Sequence, residues 1–322
     1  MSQNPEAAPP KPEAPLDAEP IRAVPVRHYG RWAAGLVILF LAFIVVRSVV
    51  TNDALHWPVV GEYLFDYRIL QGLQNTLILT VISMVIGVVG GILLAIMRLS
   101  PNPLMSGAAA VYIWLFRGTP VLTQLVIWNF LALAYSRIGL GIPFGPTFIS
   151  WDTNTLINLF TASLLGLGLN EAAYMAEIVR GGIQSVDGGQ LEAASALGMK
   201  RTTTLRRIIL PQAMRVIIPP TGNETISMLK TTSLVVAIGY FELMVAAQSI
   251  YSRNLQTVPL LIVAALWYLF LTSVLTVGQY FVEKYFARGT SREVVDRTKW
   301  GTRMFGFKAG QGGGGQGGGS TA

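Results

Sequence analysis

The sequence predicts an all-α integral membrane protein of about six transmembrane helices with both termini in the cytoplasm. Only 13% of the 322 residues are charged and 52% are hydrophobic, whereas a soluble domain carries about a quarter charged residues. The apolar residues gather into blocks close to the roughly 20 helical residues that cross about 30 Å of hydrocarbon. Lys and Arg fall overwhelmingly on one set of alternate connections, as expected of a chain whose basic loops stay in the cytoplasm.

The first 30 residues hold seven of the 17 prolines, from Pro5 to Pro25. Proline cannot extend a helix, so residues 1–30 read as a disordered arm. The basic flank comes late and the following apolar run is long, which does not fit a cleavable signal. Six apolar stretches follow: Trp32–Val50, Leu73–Met97, Ala108–Tyr135, Leu156–Val179, Ile217–Ser249 and Val258–Phe281. With the N-terminus inside, the cytoplasmic segments carry 18 Lys and Arg, and the outer segments keep four, Arg47, Arg68, Arg137 and Arg253. The net charge of +7 then reflects topology and anionic lipid, not nucleic acid. Residues 310–319, eight glycines and two glutamines, have the composition of a flexible coil.

Several chemistries are excluded. The chain has no cysteine and two histidines, His28 and His56, which removes disulfides, thiol chemistry and the usual zinc or haem ligand sets. No G-x-x-x-x-G-K-[ST] occurs, so the chain has no phosphate-binding loop of its own. No catalytic residue and no metal ligand set is assigned.

Within the second stretch, Ser83, Gly87, Gly91 and Ala95 recur every four residues, a stripe that lets two helix backbones approach closely; packing within the chain explains it. Arg117-Gly118-Thr119-Pro120 predicts a kink near Thr119, because proline removes one hydrogen bond and Gly118 relaxes the backbone. Four carboxylates fall in or beside the apolar stretches. Glu177 and Arg180, three apart on one helix face, read as an ion pair, while Glu171 and Glu242 read as interfacial groups near opposite faces. Glu224 follows Pro219-Pro220-Thr221-Gly222-Asn223, which reads as a distorted helix start lining a cavity, and Lys230 lies two turns on. On a continuous helix Glu224 and Glu242 would be about 27 Å apart, too far to share one small-molecule site.

The connection from Gly181 to Arg215 is amphipathic. It reads as a helix over Gln190–Leu197 broken by Gly198, then a helix over about Thr203–Ile209 ended by Pro211. Such a bracket suits docking into another protein's groove.

This loop carries a family resemblance. Glu192-Ala193-Ala194, three residues, Gly198, nine residues, Ile208, one residue, Leu210-Pro211 matches the "EAA" loop of ABC importer permeases. The flanks resemble the polar amino-acid branch: Tyr174-x-Ala176-Glu177-x-x-Arg180-Gly181-Gly182-Ile183 before the loop, then Pro220-x-Gly222-Asn223-Glu224 and Lys230-x-Thr232-Ser233-Leu234 after it, with Arg117-Gly118-Thr119-Pro120 upstream. The resemblance covers roughly Ile69 to Lys284. It departs at the arm and first apolar stretch, which precede the usual five-helix core, at Thr231, where many relatives have Asp or Asn, and at the long outer segment 136–154, read as a contact for a binding protein. Asp187-Gly188-Gly189-Gln190 resembles an ATPase signature but has no phosphate loop to serve.

The first apolar stretch is read as an extra N-terminal transmembrane helix with an outer loop over 31–68; the resemblance implies a permease domain over 69–284 with its coupling loop at 181–215, and a cytoplasmic tail is expected over 285–322. The resemblance also implies a bacterial plasma-membrane importer with a second permease (this chain or a relative), two ABC subunits that bind Mg-ATP, an extracytoplasmic solute-binding protein and an amino-acid substrate. Glu192, Ala193, Ala194, Gly198, Leu210 and Pro211 would then couple to the ATPases. Glu224 is the candidate for the substrate ammonium, with Asn223, Thr221 and Ser227 beside it. Lys230 is a candidate for the substrate carboxylate or a structural partner. Arg117, Gly118, Thr119, Pro120, Glu177 and Arg180 are structural or gating candidates. The competing readings are an ion-coupled secondary transporter, with Glu177 or Glu224 as its ion site, and a membrane scaffold.

Overall fold

The computed structural model describes residues 29–142 and 146–286, so the expectations for residues 1–28 and 287–322 lie outside the described residues. The chain divides into two compact units, Met1–His56 and Trp57–Ala322.

In the first unit, helix α1 spans Tyr29–Val50 and buries none of its residues. It is apolar all round, and its 22 residues reach about 33 Å, enough to cross a bilayer unaided. Beyond it the Asn52 side chain accepts a 3.0 Å bond from Ala54 N–H and starts a 3₁₀ turn over Asp53–Leu55.

The second unit is built from helices α2 (Trp57–Tyr63), α3 (Tyr67–Arg98), α4 (Pro103–Gly118), α5 (Val121–Asn129) and α6 (Leu131–Ala134), a two-stranded antiparallel hairpin, β1 (Arg137–Gly141) and β2 (Thr147–Asp152), then α7 (Thr153–Leu156), α8 (Leu159–Gln184), α9 (Gly188–Ala196), α10 (Arg201–Thr204), α11 (Leu210–Thr231), α12 (Leu243–Asn254) and α13 (Thr257–Phe286). The hairpin departs from an all-helical chain; it falls in the outer segment that sequence reading left without secondary structure.

Helix α8 is the centre. It packs against α3, α4, α5 and α11, and its own small residues make this possible. The stripe on α3 faces it: Ser83, Gly87, Gly91 and Ala95 are all buried, and a β-carbon at Gly87 or Gly91 would overlap Glu171 or Met175 respectively. The stripe therefore serves packing within the chain, as expected. On the other side a β-carbon at Gly182 would overlap Ile217 of α11.

One core cluster joins α2, α3, α12 and α13 through Val60, Ile69, Leu73, Leu243 and Leu260. A second holds Leu79, Leu125, Leu167, Met228 and Val235, and a third holds Ala95, Met175, Val179, Ala213 and Ile217.

The kink at Thr119 is larger than one bent helix. α4 and α5 meet at 101°, so Ala108–Tyr135 is a broken span or a re-entrant loop. The cause is local. Pro120 has no N–H for the carbonyl of Phe116, and two side-chain amides replace it: Gln124 donates to that oxygen at 2.9 Å and Asn170 of α8 at 2.8 Å. Gln124 also donates to the Thr119 hydroxyl at 2.8 Å.

Two further expectations change. Pro211 does not end a helix: α10 runs through a π-helical turn at Leu205–Ile209 into α11. Leu210 N–H bonds to Leu205 C=O, a wider turn than α, which makes room for the proline ring against the preceding carbonyls. Nor does Pro219-Pro220 begin a helix; both lie inside α11, where Gln279 of α13 donates to Pro219 C=O at 3.2 Å. After α11 a 3₁₀ run over Thr232–Ile238 ends at Gly239 (φ +78°), and the chain bends by 47° into α12.

Among the described residues three helices, α1, α3 and α13, are long and apolar enough to cross a membrane, or five crossings if each bent pair is one span. That sets three to five candidate spans beside the expected six. Asn170, Glu171, Glu177 and Arg180 lower the apolar average of α8.

Candidate transport site and coupling loop

The candidate coupling loop, residues 181–215, is ordered by its caps. Asp187 precedes α9 and its carboxylate accepts from Gly189 N–H at 2.7 Å, a use of Asp187 that has nothing to do with nucleotide. At the other end Gly198 adopts φ +68°. Its left-handed backbone lets Met199 N–H return to Ala194 C=O at 3.0 Å, closing the helix in the manner of a glycine C-cap. Ala194 is buried, while Glu192, Ala193 and Leu197 are exposed, Leu197 to 80%. The helix thus anchors by Ala194 and presents an acid and a large apolar side chain outward. Leu210 and Pro211 are also exposed, at the start of α11.

The membrane-depth polar groups converge between α4, α8 and α11. The Arg117 guanidinium lies 5.1 Å from the centre of the Tyr174 ring, a cation–π placement that holds a charge where carboxylates are scarce. Gly118 and Thr119 are exposed beside it. Glu177 and Arg180 form the expected ion pair at 2.5 Å, and Arg180 donates onward to Gln184 at 2.6 Å.

Glu224 is half-buried on α11, which packs against α8, the helix that carries Glu171. Glu171 is 4% exposed, not interfacial, and its Oε1 is buried without a hydrogen-bond partner among the described residues. The sequence signal for it was the Asn170-Glu171 pair inside a run of Gly and Ala, small residues that mark a tightly packed helix.

The other α11 candidates are divided by helix geometry. Thr221 and Lys230, nine residues apart, point to opposite sides of a 3.6-residue helix. The Thr221 hydroxyl donates to Ile217 C=O at 2.8 Å and Asn223 accepts from Gln279 at 3.0 Å. Ser227 and Lys230 are exposed, on the Asn223 side.

Glu242 is also fully buried, correcting its interfacial reading. It caps α12 by accepting from Val245 N–H at 2.9 Å, and Tyr268 of α13 donates to it at 3.0 Å. Thr76 of α3 accepts from Leu243 N–H at 3.1 Å beside it. This carboxylate ties three helices together and has no room for cargo.

Residues 87–288 match the family model described as "Binding-protein-dependent transport system inner membrane component". The chain belongs to this family. The match takes in the coupling loop, Glu171, Glu177 and Glu224. The arginine transport system permease protein ArgU of Corynebacterium glutamicum is 50% identical over 299 residues, covering 92% of this chain and 91% of that one. A probable amino-acid permease protein, YxeN of Bacillus subtilis, is 36% identical over 216 residues, 67% of this chain and 90% of that one. A crystal structure of an amino acid ABC transporter with histidines aligns at a TM-score of 0.58 and 35% identity, covering 68% of this chain and 94% of that one. The binding-protein-dependent permease is therefore a non-catalytic, multi-pass subunit of the bacterial inner membrane, belonging to an ABC-type importer whose general architecture adds ATPase subunits and a solute-binding protein. Family membership decides against the ion-coupled alternative.

Proposed function

We propose that this permease carries an amino acid with a cationic side chain, and that Glu171 and Glu224 hold the positive charge in transit. The observation that carries this reading is the Glu171 carboxylate, buried on α8 with one oxygen unpartnered among the described residues, on a helix that packs against α11, the helix of Glu224. A buried polar atom left unpaired is costly, and a guanidinium or ammonium group supplies the missing donors with charge-assisted bonds. Arg117 over Tyr174 is placed to meet the substrate carboxylate. The names of two similar proteins, one for arginine transport and one solved with histidines, support a basic cargo. Of the five α11 candidates, Glu224 keeps its nominated role. Thr221 and Asn223 spend their bonds within the protein, and Ser227 and Lys230 line the side turned from Thr221.

In this reading α8 is the sixth crossing helix and both termini are cytoplasmic. The second permease is either another copy or a relative, and two ATPase subunits bind Mg-ATP. Glu192 pairs with a basic group in each ATPase groove, Ala193 and Leu197 line that contact, Ala194 and Gly198 fix the bracket, and Leu210-Pro211 carries its motion into α11. Arg117-Gly118-Thr119-Pro120 is the flexible joint, and Glu177–Arg180 steadies α8 next to the loop.

The test is ATP-driven uptake into proteoliposomes holding the complete transporter, comparing labelled arginine with glutamine. Glu171→Gln and Glu224→Gln should each lower arginine uptake at least about tenfold, the loss of roughly 1.4 kcal/mol or more of binding, with assembly intact. Arginine uptake equal to wild type in both variants would refute the site.

A further inference from the structure

We propose that the β1–β2 hairpin lies flat on the outer membrane surface, its apolar face seated among the lipid headgroups and upper acyl chains. The register pairs Ile138 with Trp151 and Leu140 with Ile149, so these four side chains share one face, while Arg137, Gly139, Ser150 and Asp152 share the other. Leu140 is 64% exposed, Ile149 54% and Trp151 43%. A register shift between Leu140 and Gly141 leaves Phe148 as the extra residue of β2, and it too is exposed, to 69%. An apolar face of this kind is not left in water without an occupant.

Three observations identify lipid as that occupant. From Ile138 to Trp151 the sequence carries no charged residue; a surface that docks and releases a soluble protein each cycle would stand exposed to water between encounters. The face is continuous along the chain with exposed apolar residues of the membrane helices on both sides, Leu133 and Tyr135 before it, Leu156 and Leu159 after it. It also sits at the right level. The hairpin leads through α7 to the N-terminal end of α8, and the proposed coupling loop leaves the C-terminal end 26 residues later, about 39 Å away; with α8 as a crossing helix, the proposed reading on which this step rests, the two lie on opposite membrane surfaces.

Depth is limited by the backbone. A two-stranded sheet has two open edges whose N–H and C=O groups need water, which forbids the hydrocarbon core and leaves the interface. Tryptophan prefers that layer. The base is fixed so that the face cannot roll away: the Thr153 hydroxyl donates to Tyr135 C=O at 2.5 Å, Thr153 N–H donates to Ser136 C=O at 3.1 Å, and Asp152 caps α7 by accepting from Thr155 N–H at 3.1 Å.

The chain has no cysteine, so single cysteines at Leu140, Ile149 and Ser150 can each carry a bimane fluorophore in the assembled transporter, with cysteine-free partner subunits, in nanodiscs of phosphatidylethanolamine and phosphatidylglycerol. Positions 140 and 149 should emit to the blue and be quenched by doxyl groups on shallow lipid carbons. Position 150 should emit as in water and be quenched by iodide. Emission at 140 and 149 that matches 150 and yields to iodide would overturn the proposal. So would protection at 140 and 149 that appears only on adding liganded solute-binding protein, which would assign the face to that protein. Neither result depends on what the transporter carries.

Discussion

Asn170 of α8 donates a 2.8 Å hydrogen bond to the carbonyl of Phe116, the oxygen that Pro120 leaves without a backbone donor. The break between α4 and α5 is thus not a loose joint; it is tied to the central helix by a side chain next to Glu171. Asn170→Leu should lower stability by about 1–2 kcal/mol, read as a fall in melting temperature of the complex in detergent. Gln124→Leu removes the other donor. Because both serve one acceptor, the double variant should cost more than the sum of the singles; simple additivity would mean that the two amides do not share that role.

The approach of α3 to α8 has no room for a side chain at Gly87, where a β-carbon would meet Glu171. Gly87→Ala should destabilise the complex by about 1–3 kcal/mol through overpacking. Gly107 has nothing within 4 Å of such a carbon, so Gly107→Ala should be neutral or stabilising by up to about 1 kcal/mol through helix propensity. Thermal unfolding of the two variants side by side checks the contrast.

Glu242 is a buried staple, and its removal strands its donors. Glu242→Ala leaves Tyr268 and Val245 N–H without their acceptor and should cost about 3 kcal/mol. Tyr268→Phe removes one bond only and should cost about 1 kcal/mol. Equal melting temperatures for these variants would contradict the staple.

At the start of α3, Asp66 accepts from Arg68 N–H at 2.8 Å and from its guanidinium at 2.9 and 3.0 Å. The Arg68 side-chain bond holds the Asp66 carboxyl below the ordinary aspartate value. A carboxyl whose folded value is depressed stabilises the fold when ionised. Its contribution is complete above the unfolded value, near 3.9, and fades as pH falls through the lower folded value. The pair is partly exposed, so the effect is below about 1 kcal/mol. With the intrinsic pH dependence of exchange divided out, the protection factors of the first-turn amides of α3 should fall at acid pH in wild type, and Asp66→Asn should show that lower protection at neutral pH.

Much of this architecture could be read from local chemistry. The Glu177–Arg180 pair and the Gly198 turn depend on neighbours within a few residues, the Pro120 kink begins with a missing N–H, and the four-residue repeat from Ser83 to Ala95 is visible locally although its partner is α8. The misread features depend on distant partners. Pro211 and Pro219-Pro220 break an isolated helix, but a π turn accommodates the first, and the second lies inside α11, which packs against α8 and α13. Glu171 and Glu242 read as interfacial because a lone carboxylate avoids lipid; tertiary packing buries both. The hairpin escaped notice because its Gly- and Pro-rich sequence gives weak strand periodicity.

The central claim is that this permease is driven by separate ATPases through the bracket from Glu192 to Gly198. The most direct measurement is the ATPase rate of the reconstituted transporter with and without liganded binding protein, for wild type, Glu192→Ala and Gly198→Ala. Wild type should be stimulated. Glu192→Ala removes the exposed acid without touching the fold, and Gly198→Ala forces a side chain into a left-handed backbone at a cost of about 1–2 kcal/mol. Both should lose the stimulation while the subunits still co-purify. Full stimulation in both variants, or stimulation without this chain, would contradict the account.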